Sequence, residues 1–187
     1  MKKLSADAKI IGTQHSILDF WSWGFSDLLM NSLRGVFAEF LVGSALGVLQ
    51  KPRIEWDTYD LIYKNTKIEV KSAAYIQSWH AGKPSKINFS IGPTRSYNYD
   101  TNKYNEHILR HADIYVFCLL KEKNANQINV LNTEQWHFYI APTHTLNNLY
   151  PRQKKISLGS LEKISNPVPY QGIKKDVEAI ISGRSIN

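Results

Sequence analysis

Apolar residues recur along this chain with two different periods, and the change from one to the other marks its organisation. Across residues 35–49 they fall on almost every face of a helix, and Pro52 stands just beyond to stop it. The spacing predicts a buried helix there, with Asn31-Ser32 available to cap its start. Ahead of it, residues 14–30 are rich in aromatics and carry Asp19 and Asp27 as turn or cap residues, which suits one or two short helices. Beyond Pro52 the pattern turns to strands. Residues 53–63 and 67–76 are rich in Ile, Val, Tyr and Trp, and the polar Lys64-Asn65-Thr66 between them suits a tight hairpin turn.

Farther on, residues 82–85 read as a loop, 86–91 as a short strand and Gly92-Pro93 as a break. The polar stretch 97–111 reads as a loop followed by a short helix around 105–110. Residues 113–120, Asp-Ile-Tyr-Val-Phe-Cys-Leu-Leu, form the most apolar run of strand-forming residues and predict a central strand buried on both faces. Another strand is expected over 135–140, short helices near 143–149 and 158–164, and a last helix over 173–182. This order predicts an α/β fold with a central mixed sheet flanked by helices.

With 187 residues, 43% of them hydrophobic and 21% charged, the chain is expected to form one domain with a real core rather than a disordered tail or a coiled coil. No repeat of 20–50 residues is visible, which sets aside solenoids and propellers. The single cysteine, Cys118, admits neither an internal disulfide nor a zinc site built on thiolates; in an apolar strand it reads as an inert core residue. No signal-like apolar run follows the N-terminal residues and no stretch approaches a membrane span, so a soluble cytoplasmic protein without membrane contact is expected. The formal net charge of +7 fits a polyanionic partner.

The strongest chemical signal is Trp56-Asp57-Thr58-Tyr59-Asp60 followed by Ile68-Glu69-Val70-Lys71. Residues two apart on a strand share a face, so Glu69 and Lys71 project together while Ile68 and Val70 point to the apolar side. A turn centred near Lys64 or Asn65 puts Asp60 opposite Glu69 or Val70, and Asp57 opposite Ser72 or Ala73. Two carboxylates across adjacent strands repel unless a cation lies between them, and hard oxygen ligands suit Mg²⁺ or Mn²⁺. The Val70 carbonyl can add another oxygen. Lys71 beside such an ion would hold an attacking water or stabilise charge building on a phosphoryl group. Glu39 is the only charged residue between Gly35 and Gln50, within a helix expected to be buried, and so demands a cation: a metal, a metal-bound water or Lys71.

In these residues the sequence resembles the PD-(D/E)XK, or restriction-endonuclease-like, nuclease superfamily, in which a helix bearing a glutamate precedes a strand with an aspartate and then a strand carrying Glu-X-Lys. Glu39, Asp60 and Glu69-Val70-Lys71 match in order, type and approximate spacing; Tyr59 stands where the motif has proline. A glutamine shortly after the lysine serves several branches, and Gln77 fits that position if the strand continues. The resemblance covers roughly residues 30–120. It implies an αβββαβ core at about 30–141 within a single domain, 1–187, with a C-terminal helical extension at about 142–187. It further implies a Mg²⁺- or Mn²⁺-dependent endonuclease or phosphodiesterase acting on nucleic acid, DNA being the expected polymer. Asp60, Glu69, Glu39 and the Val70 carbonyl would be the metal ligands, Lys71 the catalytic cation and Gln77 an auxiliary. A homodimer would suit two-strand cutting. The competing reading is a catalytically inactive nucleic-acid-binding or protein-interaction module of the same fold.

Other residues carry weaker signals. Trp21, Trp23, Trp56, Trp79 and Trp136 offer stacking faces, but core or interface packing is the default assignment for most of them, with Trp79 the one to test. Asp57 reads as an exposed turn residue or as a partner of the ligating side chains rather than a ligand itself, and His107 and His111 as a surface pair on one helix face. Gly43-Ser44-Ala45-Leu46-Gly47 reads as a place of close helix packing. Lysines and arginines concentrate around the hairpin and across residues 144–187, where they can contact phosphates or simply face solvent.

Overall fold

A two-residue turn sets the register on which the rest of the sheet is built. Lys64 and Asn65 both take the left-handed conformation, at φ 48° and 63°, which is the backbone a type I′ hairpin demands. In the computed structural model, which describes residues 2–54, 58–79, 82–98 and 103–183, this turn joins β1 (Leu61–Tyr63) to β2 (Thr66–Ala74), with Leu61 paired to Ile68 and Tyr63 to Thr66. The first hairpin strand is thus much shorter than the expected 53–63. Residues 55–57, and with them Trp56 and Asp57, lie outside the described residues.

The fully apolar run becomes β6 (Ile114–Leu120), every residue of which is buried. It lies parallel to β2 on one side and antiparallel to β7 (Trp136–Pro142) on the other, giving a mixed sheet in the order β1-β2-β6-β7. Strand alternation separates two cores. Ile68, Val70 and Ala74 pack with the helix α2 (Asn31–Leu46) on one face, joined by Ile173 and Val177 of α5 (Ile173–Ile181). On the other face Tyr115, Phe117 and Tyr139 meet Phe89 of β3 (Asn88–Ser90), Leu146 of α3 (Thr143–Leu149) and Leu161 of α4 (Leu158–Leu161).

Several expectations change here. Helix α2 starts at Asn31, with Met30 in the N-cap position, so Asn31 does not cap it; its far end is closed by Gly47 at φ 73°, five residues before Pro52. The helix buries one side only, leaving Val36 and Phe40 open to solvent. Close packing near its end does hold: a Cβ on Gly43 would stand 2.5 Å from a Leu49 methyl. In place of the short helix expected in 97–111 there is a hairpin of β4 (Thr94–Asn98) and β5 (Lys103–Leu109), with a bulge between Arg95 and Tyr97. These mostly polar residues satisfy their backbone by pairing strand to strand, which a one-dimensional reading of polarity takes for a loop. His107 therefore lies on a strand, and the ring of His111 bonds to the Thr94 carbonyl. The connection from β2 to β6 carries β3, β4 and β5 but no helix among the described residues.

The C-terminal segment is woven into this frame. Its strand β8 (Lys155–Ser157) pairs antiparallel with β3, and α5 packs on α2 and β7. The remaining element, α1 (Ile17–Gly24), is closed by a capping box between Ser16 and Asp19 and buries none of its residues. Of the described tryptophans only Trp136 is a core residue; Trp21, Trp23 and Trp79 are exposed on this chain, so of the two kinds of packing expected the core accounts for Trp136 alone. No helix among the described residues is long and apolar enough to cross a membrane.

Candidate functional site

Strand β1 ends where the chemistry begins. Immediately before it, the Asp60 amide donates to the Ile68 carbonyl at 3.0 Å, continuing the ladder by one rung. At the next rung the side chain takes over, and the Val70 amide donates to Asp60 Oδ2 at 2.6 Å. The aspartate is thus pinned across from the Glu69-Val70-Lys71 segment, as the turn register demands. The Lys67 carbonyl bonds to Asp113 on the β6 side and the Ile68 carbonyl to Asp60, so alternation turns the Val70 carbonyl toward the Asp60 edge.

Glu69 and Lys71 share the face opposite α2 and form an ion pair through Lys71 Nζ and Glu69 Oε1; their side chains are 18% and 29% exposed, accessible to a ligand but largely sheltered. Asp60 is deeper. Burial, followed by the negative charges of Glu69 and then Glu39, pushes its carboxyl up to about 7, while the Val70 amide and Lys71 pull the other way. The charges of α2 and of both arms of the hairpin thus bear on one carboxyl, and Glu39 and Asp60 line the same cleft. The same field reaches Cys118, whose thiol is fully buried and held well above its ordinary range, first by burial and then by Asp60 and Glu39.

Glu39 is satisfied by a cation that the sequence reading did not name. Arg53, in the loop between α2 and β1, forks onto it through Nε to Oε2 and through Nη2 to Oε1 at 2.9 Å. The pairing is a bidentate arginine–carboxylate contact, with the glutamate side chain 12% exposed. Nothing local marks Arg53, because its position depends on how the Gly47 turn sends the chain back over α2.

Gln77 goes elsewhere. Strand β2 stops at Ala74, so the continuation that would keep Gln77 on the Lys71 face does not occur. Its carboxamide instead donates to the Ala74 carbonyl at 3.1 Å and accepts from Arg34 Nη1 at 2.6 Å. Arg34, 2% exposed, also donates to Ser72 Oγ, the Leu29 carbonyl and Asn31 Oδ1, and burial pulls its guanidinium down to about 10, leaving it charged at neutral pH. Gln77 therefore belongs to a polar knot under the start of α2, on the sheet face away from Lys71.

Asp60 and Glu39 also line a cleft of about 690 Å³ between α2, the 48–54 loop and β1. Its walls include Phe40, Ile54 and Ile62, and Lys3, Lys51 and Arg53 add positive charge. Asp60 is common to the cleft and to the Glu69–Lys71 side of the hairpin. Oxygen donors from Asp60, Glu69 and the Val70 carbonyl are the set that suits a hard divalent cation. Among the described residues, however, no three Asp, Glu, His or Cys side chains are arranged to enclose an ion as they stand, Glu69 being drawn onto Lys71 and Glu39 onto Arg53.

Comparison of the chain with protein-family models and with curated proteins finds no match to either.

Proposed function

We infer that this protein is a metal-dependent phosphodiesterase acting on nucleic acid, DNA being the expected polymer, built on a PD-(D/E)XK-like arrangement of α2, the β1–β2 hairpin and the parallel strand β6. The observation that carries this reading is the anchoring of Asp60 on the Val70 amide, opposite Glu69 and Lys71, with its carboxyl held near 7 among three acids. Like charges brought together in a sheltered place cost stability, and such groups concentrate where a cation or a proton is put to use.

The donor set fits Mg²⁺ or Mn²⁺, with Asp60, Glu69 and the Val70 carbonyl as ligands and Glu39 within the electrostatic reach of Asp60. A bound ion would supply Lewis-acid stabilisation of the phosphoryl oxygens and a water acidic enough to attack near neutral pH. The chain's own residues do the rest. Asp60, fixed by the backbone, keeps its carboxylate in one orientation, so little reorganisation is needed when a ligand arrives. Lys71, once Glu69 turns to other work, presents its ammonium to the phosphate or to the incoming water. Burial of Asp60 strengthens each of these interactions by lowering the local dielectric.

A second reading rests on the two ion pairs. With Glu39 on Arg53 and Glu69 on Lys71, the charges already answer one another, as they would in a binding module of this fold without turnover. Calorimetry with Mn²⁺ separates the two: binding lost on Asp60→Ala favours the enzyme, and no binding favours the module. The direct test is incubation with supercoiled plasmid, linear duplex and single strands across several divalent ions. Cleavage that persists undiminished in Glu69→Ala or Lys71→Ala would overturn the assignment.

A further inference from the structure

The cleft between α2 and β1 is more apolar than phosphodiester chemistry requires. Phe40 is 52% exposed, Ile54 68% and Ile62 47%, and all three line it. Large apolar side chains gathered at a concave site mark a place that something covers. The Phe40 ring is held ready: it stacks on Phe37 at 6.3 Å between centroids and an 18° interplanar angle, and Phe37 in turn rests on Trp136 of the core. Lys51 stands exposed at the same cleft, Lys3 is exposed there with its ammonium on the Leu49 carbonyl, and Arg53 lies within it beside Glu39.

An occupant must therefore offer a flat apolar face and a negative charge together, and must reach Asp60. A base-paired duplex shows its phosphates outward while its base faces stay stacked on one another, out of contact with any protein wall. An unpaired nucleotide offers both: its base can lie against Phe40 and Ile54 while the adjoining phosphate meets Lys51 or Lys3. We propose that the cleft seats an unpaired nucleotide, so that the preferred polymer is single-stranded or carries an unpaired flap, with the nucleotide in the cleft placing the next phosphodiester at Asp60. This rests on the phosphodiesterase reading for the last step only; the binding preference stands apart from turnover.

The test is fluorescence anisotropy on the 187-residue chain carrying Lys71→Ala, without divalent ion, using a labelled single strand of about 12 nucleotides, the blunt duplex of the same sequence and a duplex with an unpaired end. The single strand and the unpaired end are expected to bind more tightly than the blunt duplex by about 10-fold, and Phe40→Ala to remove most of that difference while leaving duplex affinity unchanged. Ile54→Ser should act in the same direction, and since both side chains are half or more exposed, a thermal melt should match the parent and exclude misfolding. Equal affinity for strand and duplex, no effect of Phe40→Ala, an equal loss for both polymers, or no binding to either at low salt would each overturn the proposal. Cleavage of plasmid by the unmodified chain without single-strand preference would sink the cleft assignment and leave the nuclease reading. Preferential binding lost in Phe40→Ala, with no cleavage under any divalent ion, would do the reverse.

Discussion

The Asp60 carboxylate accepts the Val70 amide at 2.6 Å, so the acid of one hairpin arm is tied to the backbone of the other at the residue between Glu69 and Lys71. A side chain here does what the next strand residue would have done. The sheet ladder ends at this point, and the edge it frees is turned toward carboxylate oxygens and the Val70 carbonyl. Strand β1 is short for the same reason that the site exists.

The raised pKa of Asp60 has a definite sign for stability. Its carboxyl binds protons more tightly in the folded state, up to about 7, than at the ordinary aspartate value of 3.8. Its cost to the fold is absent below about pH 4, grows between 4 and 7, and is full above 7. Asp60→Asn keeps an oxygen for the Val70 amide and removes the charge. It should stabilise the protein by roughly 2–4 kcal/mol at about pH 8 and have little effect near pH 4, while abolishing divalent-ion binding. Denaturant melts at the two pH values, with calorimetry for the ion, check both halves.

Glu39 acts on Asp60 as a like charge, after Glu69. Glu39→Gln should therefore lower the Asp60 pKa, moving the midpoint of pH-dependent stability downward from about 7. A carboxyl resonance followed by NMR titration reports this directly; an unmoved Asp60 midpoint would mean that the two acids are farther apart than the electrostatics imply.

Lys71 and Glu69 form a partly exposed pair, and such pairs contribute about 0–1 kcal/mol to folding. Lys71→Ala should thus shift the unfolding free energy by no more than about 1 kcal/mol. On the phosphodiesterase reading, it should reduce the cleavage rate by at least about 100-fold, the scale for losing one transition-state charge contact. Stability and rate measured on the same preparation separate a functional lysine from a structural one.

Arg34 is held by four hydrogen bonds to neutral partners and has almost no exposure. Arg34→Ala would leave the half-buried Gln77 and Ser72 short of a partner and open a void beneath α2. A loss of roughly 3–5 kcal/mol is expected from chemical unfolding. Arg34→Lys should recover little of it, since an ammonium cannot reproduce the planar fork.

Asn65 offers a smaller, opposite change. Both turn residues adopt left-handed backbone, which costs roughly 1 kcal/mol for a residue with a Cβ and less for asparagine. Asn65→Gly should raise the melting temperature, by an amount worth about 0.5 kcal/mol, without moving the hairpin register.

What the sequence determined by itself is what depends on neighbours a few residues away. A two-residue turn with known backbone requirements dictates which residues face each other, so Asp60 opposite Glu69 was legible, as was the shared face of Glu69 and Lys71. The unbroken apolar run 114–120 specified a strand covered on both sides, because no polar residue interrupts it. Everything that tertiary structure decided involves partners distant along the chain. Arg53 on Glu39 depends on the path of a loop, Gln77 on Arg34 depends on where β2 stops, and the β4–β5 hairpin depends on backbone pairing that hydropathy does not encode. The cleft too arises only when α2 and β1 are set side by side, since neither element has a concave surface of its own. Local geometry is carried by φ, ψ and side-chain alternation, which any short window of sequence reveals; the matching of distant charges and shapes comes from packing, which no short window contains.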